Sequence, residues 1–311
     1  MAGLSNIPSR TAGHICALLS ALLFGLMAPM GKLVLLGDSI DGVVLATMRL
    51  CGAAALFWLT SLLRRKPEPI ARRDWPALLG MSLCGMLINQ YCYIVGLQFT
   101  APINACVIGT SAPVFAFMMS AVFLKLPVTR LKFLGLVMAF IGALVLVLGS
   151  QMSGGVSGHP LGDVICLVSQ FSAACYLVFF GNVLRRYHPV ELMKWLFLIS
   201  AVLALPFMAD DLIAVPWQQL STQEWAGALY VVIGGSYFSY MALIVGQRNL
   251  DPQTVSSYNY VHPVVAAVVA ILLGVDVLTW QKVAAILLIA CGVSFIGRKL
   301  RVGGGFKFSA K

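Results

Sequence analysis

Charge is what this sequence has least of. Only 10% of its 311 residues are Asp, Glu, Lys or Arg, while 60% are hydrophobic. A soluble domain carries about 25% charged residues, so there are too few here to cover a surface that faces water. Length alone would suggest about two soluble domains; the long apolar runs override that expectation. The eight cysteines, Cys16, Cys51, Cys84, Cys92, Cys106, Cys166, Cys175 and Cys291, form no Cys-x-x-Cys pair and all sit inside apolar runs. Neither a disulfide frame nor a zinc site is supported, and small thiols packed among helices are the simplest reading. The eleven acids all lie at the ends of the runs or between them. Proton relays or sodium sites built on buried carboxylates are therefore unsupported. A membrane-embedded enzyme would need clustered acids and histidines. The nearest approaches, Glu68 with Asp74 and Asp210 with Asp211, have no histidine close by in the sequence. The expectation is a protein without catalysis, cofactor or metal.

What is present is a series of ten apolar runs, at about 12–36, 42–63, 75–97, 101–124, 132–150, 161–182, 192–209, 225–247, 254–275 and 281–298. Each approaches the roughly 20 residues needed to cross about 30 Å of hydrocarbon. The reading is an all-α membrane protein with ten transmembrane helices. The net charge of +10 could suggest nucleic acid, but its placement does not. When Lys and Arg are assigned to alternate sides of ten spans, 18 fall on one side and only Lys32 and Lys282 on the other. That bias puts both termini in the cytoplasm. The first run is too long for a secretory signal and lacks a small-residue cleavage site, so it is expected to stay as a helix.

The chain also repeats itself after 150 residues. Trp75 falls on Trp225, Gly85 on Gly235, Pro102 on Pro252, Pro113 on Pro263, Lys132 on Lys282 and Gly142 on Gly292, with no gap. Each copy holds five spans, and an odd number makes the second copy enter the membrane upside down. The expected layout is a first five-helix repeat at 11–150, an outer connector at 151–160, an inverted second repeat at 161–300 and a basic cytoplasmic tail at 301–311. Inverted repeats around a midplane cavity are a common transporter architecture. Gly135, Gly142 and Gly149 recur every seven residues on span five, where small residues let helices approach closely. Spans five and ten therefore read as scaffold or as a dimer contact, with monomer and homodimer both open.

Pro102-Ile103-Asn104-Ala105 and Thr110-Ser111-Ala112-Pro113 open and break the fourth span. Leu124-Lys125-Leu126-Pro127-Val128-Thr129 precedes Leu134-Gly135, and its partner is Gly274-Val275-Asp276-Val277-Leu278-Thr279. With the paired five-span copies, these runs resemble EamA-type members of the drug/metabolite transporter superfamily. That family often shows Gly-Glu-x-Leu-Thr where this chain has Leu126 in the first copy and Asp276 in the second. The resemblance implies a multi-pass protein of a bacterial inner membrane that moves small metabolites. It also implies export of amino acids or related compounds; the alternative is uptake or exchange of phosphorylated or nucleotide-linked sugars, since some relatives carry nucleotide sugars.

Polar residues inside a membrane are costly and usually face the interior. Span three offers Asn89, Gln90 and Tyr93; span four, Asn104, Thr110 and Ser111; span six, Gln170 and Tyr176; span eight, Tyr237, Ser239 and Tyr240. Span nine is richest, with Ser256, Ser257, Tyr258, Asn259, Tyr260 and His262. A run this polar wraps around a helix, so not all of it can face one cavity. The expected substrate cavity lies between spans three, four, eight and nine, with six contributing. Aromatic rings there would meet an apolar part of the solute, and amides and hydroxyls its polar end. The alternative is hydrogen bonding between helices without a ligand. Pro113 and Pro263 are expected helix breaks shaping the cavity, and Pro29 is an expected kink in span one. Arg49 is the one charge well inside a span. It is either an anion contact for the solute, or an arginine that snorkels outward or pairs with Asp38 or Asp41. His262 is the one titratable group placed to sense protons.

Overall fold

The computed structural model describes residues 9–35, 39–64, 68–99, 108–126, 128–149, 160–272 and 280–297. These are helical almost throughout, with no strand among them. Six helical segments are long and apolar enough to cross a membrane: Arg10–Met27, Gly42–Leu63, Arg72–Gly96, Leu161–Phe179, Pro189–Pro206 and Thr222–Asn249. Ser111–Phe123 and Val283–Ile296 are shorter apolar helices. Large side chains such as Leu63, Ile213 and Trp280 are among the most exposed, as lipid contact requires.

In chain order the helices are α1 (Ser9–Leu35), α2 (Gly42–Leu63), α3 (Trp75–Met81), α4 (Asn89–Phe99), α5 (Ser111–Phe123), α6 (Arg130–Gly149) and α7 (Pro160–Phe179). They continue with α8 (Gly181–Arg186), α9 (Pro189–Ala214), α10 (Thr222–Val232), α11 (Ser239–Asn249), α12 (Pro252–Ser257), α13 (Val261–Leu272) and α14 (Trp280–Gly297). Local chemistry sets the ends. Asp41 accepts the Val44 amide at 2.7 Å to start α2. Ser221 and Glu224 form a capping box at α10. Asp251 caps α12, where Pro252 occupies the first turn and needs no partner for its missing N–H. Between α9 and α10 lies a short 3₁₀ helix, Trp217–Gln219. Helix α9 runs past the predicted end at 209, through Asp210 and Asp211 to Ala214. It also contains Pro206, a helix-interior proline the sequence reading did not single out.

Two segments depart from α geometry at matching places in the repeat. Ser82–Ile88 joins α3 to α4 as a π-helix, and Ile233–Phe238 joins α10 to α11 in the same way. Wide turns leave backbone carbonyls poorly served, and serines answer this. Ser236 Oγ donates to Val231 O at 2.8 Å, and Ser239 Oγ to Gly234 O at 2.7 Å. The expected proline breaks take a related form. Pro113 is the third residue of α5, after a turn at Thr110; Pro263 is the third residue of α13, after a 3₁₀ turn at Tyr258–Tyr260. Each proline sits in the first turn of a restarted helix, where no intrahelical N–H bond is lost.

Packing follows the 150-residue shift with the halves exchanged. Helix α1 lies on α11, and α4 lies on α7, which are matching pairs. Helices α6 and α14 form the closest pair. A Cβ added to Gly135 would stand 2.6 Å from the Gly292 carbonyl oxygen, and one on Gly292 would stand 2.5 Å from the Gly135 oxygen. A Cβ on Gly142 would stand 2.9 Å from the Ala285 oxygen. The pair 142–285 is the pair 292–135 shifted by one repeat. A second apolar cluster ties α2 to α9 through the stacked rings of Phe57 and Phe197, 5.5 Å apart.

At one end of the α2–α9 pair lies a buried charge cluster. Glu191, fully buried, pairs with Lys194 and, at 3.3 Å, with Arg64, and it accepts a hydrogen bond from Ser61 at 3.0 Å. The Lys194 ammonium also stands 5.0 Å from the centre of the Trp58 ring. Beside it, Asp74 accepts bonds from Arg186 at 3.0 Å and from the Tyr187 hydroxyl at 2.5 Å. Burial and that carboxylate push the Tyr187 phenol above its ordinary range. Glu68, which has no histidine near it in sequence, accepts the His188 amide at 3.3 Å. The His188 ring is turned to cap α9, accepting from the Val190 amide at 3.3 Å.

Two outcomes test this packing. Gly292→Val should cost about 1–3 kcal/mol by overpacking against α6, read as a lower unfolding midpoint in detergent. The exposed Ser294→Ala on the same helix should leave the midpoint unchanged. Glu191→Gln should cost about 3 kcal/mol because it strands Lys194 beside α2, and adding Lys194→Met should restore part of the loss.

Candidate functional site

A cavity of about 180 Å³ opens among the helices of both halves. Helix α1 supplies Phe24 and Met27 to its wall, and α2 supplies Arg49. The first π segment and α4 supply Gly85, Asn89, Gln90 and Tyr93. Helix α7 contributes Gln170, Ala173, Tyr176 and Leu177, and α11 contributes Tyr240, Leu243 and Gln247. The broken ninth span adds Val255, Ser256, Asn259 and His262, and Gly109 completes the lining.

The local geometry that puts these groups inward is specific. Gln90 Nε2 donates to the Tyr240 hydroxyl. These two residues are repeat mates, so the bond marks the place where the halves meet at equivalent points. Tyr240 is held further by edge contacts with Phe24 and Phe197, each with ring centres 5.2 Å apart. Asn89 Nδ2 donates to the Ser169 carbonyl at 3.0 Å and to its hydroxyl at 3.1 Å, and Ser169 Oγ donates back to the Asn89 carbonyl at 2.7 Å. Tyr176 OH donates to Gln247 Oε1 at 3.5 Å, linking α7 to α11. His262 packs near Phe24, and its Nε2 is buried without a hydrogen-bond partner among the described residues.

Arg49 has the least conventional surroundings. It is 0% exposed, so it does not snorkel. Its Nε donates to Ser236 Oγ at 2.7 Å and its Nη2 to the Gly235 carbonyl at 3.3 Å, both in the second π segment. Its Nη1 is buried and has no hydrogen-bond partner among the described residues. Asp41 is engaged in capping α2, and Asp38 lies outside the described residues. The guanidinium is thus fixed by neutral oxygens and borders the cavity.

Of the residues singled out from sequence, the structure brings Arg49, Asn89, Gln90, Tyr93, Gln170, Tyr176, Tyr240, Ser256, Asn259 and His262 to the cavity lining. Thr110, Ser111, Tyr237, Ser239, Ser257, Tyr258 and Tyr260 lie outside it. Tyr237 packs on Phe57 with ring centres 4.8 Å apart, and its hydroxyl bonds Thr60 at 2.7 Å. Tyr260, fully buried, lies in the cluster between α6 and α14. Ser111 begins α5 outside the lining. Asn104 lies outside the described residues. Pro113 and Pro263 are buried near the breaks and do not line the cavity. Sequence reasoning missed Gln247, which stands at the predicted end of span eight and reads as an interfacial residue. It also missed Phe24 and Met27, whose apolar character is indistinguishable from that of their neighbours.

Comparison with known proteins bears on this arrangement. The model of the EamA-like transporter family matches residues 11–148 and again 160–298. The chain is 27% identical over 285 residues to the uncharacterized inner membrane transporter YedA of Escherichia coli (strain K12), covering 88% of this chain and 86% of that one. It is 23% identical over 257 residues to an uncharacterized transporter of Archaeoglobus fulgidus, covering 83% and 89%. A solved crystal structure aligns with a TM-score of 0.76 at 17% identity over 92% of this chain and 96% of the other, a likeness of fold. These findings point to a transporter rather than an enzyme. With both halves matched across nearly their whole length, this multi-pass membrane protein belongs to the EamA-like transporter family.

Proposed function

We propose that this protein is a secondary transporter that carries small metabolites, amino acids or related compounds, out of the cell by alternating access. In this reading ten spans form two inverted five-span halves in an inner membrane, with both termini cytoplasmic. The observation that carries the proposal is the polar cavity itself. Amides, phenols, a histidine and a guanidinium converge between helices whose outer faces are apolar. Polar groups buried at membrane depth usually line a solute path.

Three further features support it. The Gln90–Tyr240 bond joins repeat mates, as a two-fold relation between halves requires. The strong excess of Lys and Arg on one side fits cytoplasmic ends. Three ion pairs, Asp74–Arg186, Arg64–Glu191 and Lys132–Asp251, join the halves, and all fall on that basic side. The export direction rests on the family resemblance.

Two measurements test the proposal. Reporters fused to each end should both be cytoplasmic, and ends on opposite faces would overturn the ten-span layout. In proteoliposomes, Asn89→Ala, Tyr240→Ala and Asn259→Ala should each lower solute flux roughly tenfold, the cost of one lost buried polar contact. Wild-type kinetics in all three would remove the cavity as the path.

A further inference from the structure

We infer that the solute taken by this cavity is a small monoanion bound through a carboxylate, and that Arg49 Nη1 is the group that docks it. The inference rests on the carrier reading above and names its substrate class. It begins with an imbalance. An arginine keeps its proton in proteins, so a full positive charge stands in a fully buried position. Its two engaged nitrogens meet a hydroxyl and a carbonyl, which solvate the charge without neutralising it. The third nitrogen, Nη1, has no hydrogen-bond partner among the described residues, and the side chain lines the cavity. A buried ion whose counter-charge is missing is strongly disfavoured, and the cavity that Arg49 lines is where a solute can supply one.

The lining fixes the charge that fits. Among the described residues that line the cavity there is no Asp, no Glu, no Lys and no second Arg. One positive charge therefore faces the solute. A carboxylate cancels it. A phosphate monoester carries about −1.5 to −2 at neutral pH and would leave negative charge uncompensated in a low-dielectric site. That argues against phosphorylated or nucleotide-linked sugars. An organic cation would meet Arg49 with no acid to hold it. A zwitterionic amino acid would be held by its carboxylate, with its ammonium left to the phenols and amides of the wall.

Size and polarity narrow the class further. At about 180 Å³ the cavity lies below the ~300–1,000 Å³ typical of sites for drug-sized ligands. Phe24, Met27, Leu243 and Val255 give one part of the wall an apolar character suited to a hydrocarbon body. With Nε committed to Ser236 and Nη2 to Gly235, Arg49 offers one nitrogen rather than a two-pronged fork. Its role is to select charge, while the shape of the wall selects the remainder of the molecule.

The test compares acids with their own amides on the full-length protein in detergent at neutral pH. The probes are 3-phenylpropionate, 4-methylpentanoate, N-acetylleucine and leucine, each set against its carboxamide, with inorganic phosphate as a further anion. At least one acid should raise the unfolding midpoint and bind about 10- to 100-fold more tightly than its amide, the range expected for a charge-assisted bond. Arg49→Gln should erase the difference between acid and amide, and Arg49→Lys should keep part of it. The unaltered protein decides the matter alone if either variant fails to fold. The inference is overturned if an amide binds as well as its acid, if Arg49→Gln keeps the preference, if phosphate alone stabilises, or if no acid in the set does. Flux in proteoliposomes separates this from failure of the carrier reading. Saturable flux of neutral or cationic metabolites without carboxylates sinks only the inference, whereas no saturable flux of any metabolite sinks both.

Discussion

Hydrocarbon offers no partner to a hydrogen-bonding group, and that single constraint organises this protein. Each polar atom at membrane depth must be met by another part of the chain or by something the chain encloses. The backbone meets it by being helical almost throughout the described residues. Where the helix widens, at Ile233–Phe238, Ser236 and Ser239 return their hydroxyls to carbonyls five residues earlier. Where it restarts, at Pro113 and Pro263, the residue lacking an N–H is placed where none is needed. Side chains follow the same rule. Asn89 and Ser169 exchange bonds across α4 and α7, and Gln90 meets Tyr240 across the halves.

The second π segment connects this rule to the site. Its Gly235 carbonyl accepts a hydrogen bond from Arg49. Gly85, its mate in the first π segment, borders the same cavity, with Tyr176 packed against its open face. Departures from regular helix geometry often accompany functional sites. Here the second of them holds the Arg49 guanidinium through Gly235 and Ser236. Around this polar centre the rigid parts are apolar: the glycine-lined pair α6–α14 and the aromatic seam between α2 and α9.

Much of this was legible in the sequence because lipid imposes strong and simple patterns. Apolar runs of spanning length, and charges that Arg49 apart are confined to their ends, follow from the surrounding solvent, and a gap-free 150-residue shift pairs the two halves. Polar residues within runs were rightly conspicuous, since each is costly where it stands. What the sequence does not encode in a readable way is rotation about a helix axis. Tyr237 and Tyr240 lie three residues apart on span eight, yet a π segment ends between them and only Tyr240 reaches the cavity. Tyr260 and Asn259 are neighbours, and the 3₁₀ turn that contains both turns one toward α6 and α14 and the other toward the cavity. Arg49 presented two options by spacing alone. Only its neighbours in space, drawn from a segment almost 190 positions away, distinguish a snorkelling arginine from a held one.

The bond between Gln90 and Tyr240 has a consequence for how such a molecule can be built. In an assembly of two identical chains, the point where equivalent positions touch must carry the same residue twice, so the contact has to be self-complementary. A single chain that contains both halves escapes that restriction. One position is free to be an amide and its counterpart a phenol, and the centre of the molecule acquires a handedness of donor and acceptor that two like side chains would not possess. Covalent linkage of the halves thus permits a lopsided interior within a frame of paired outer helices, and a lopsided interior is what recognising an asymmetric molecule demands.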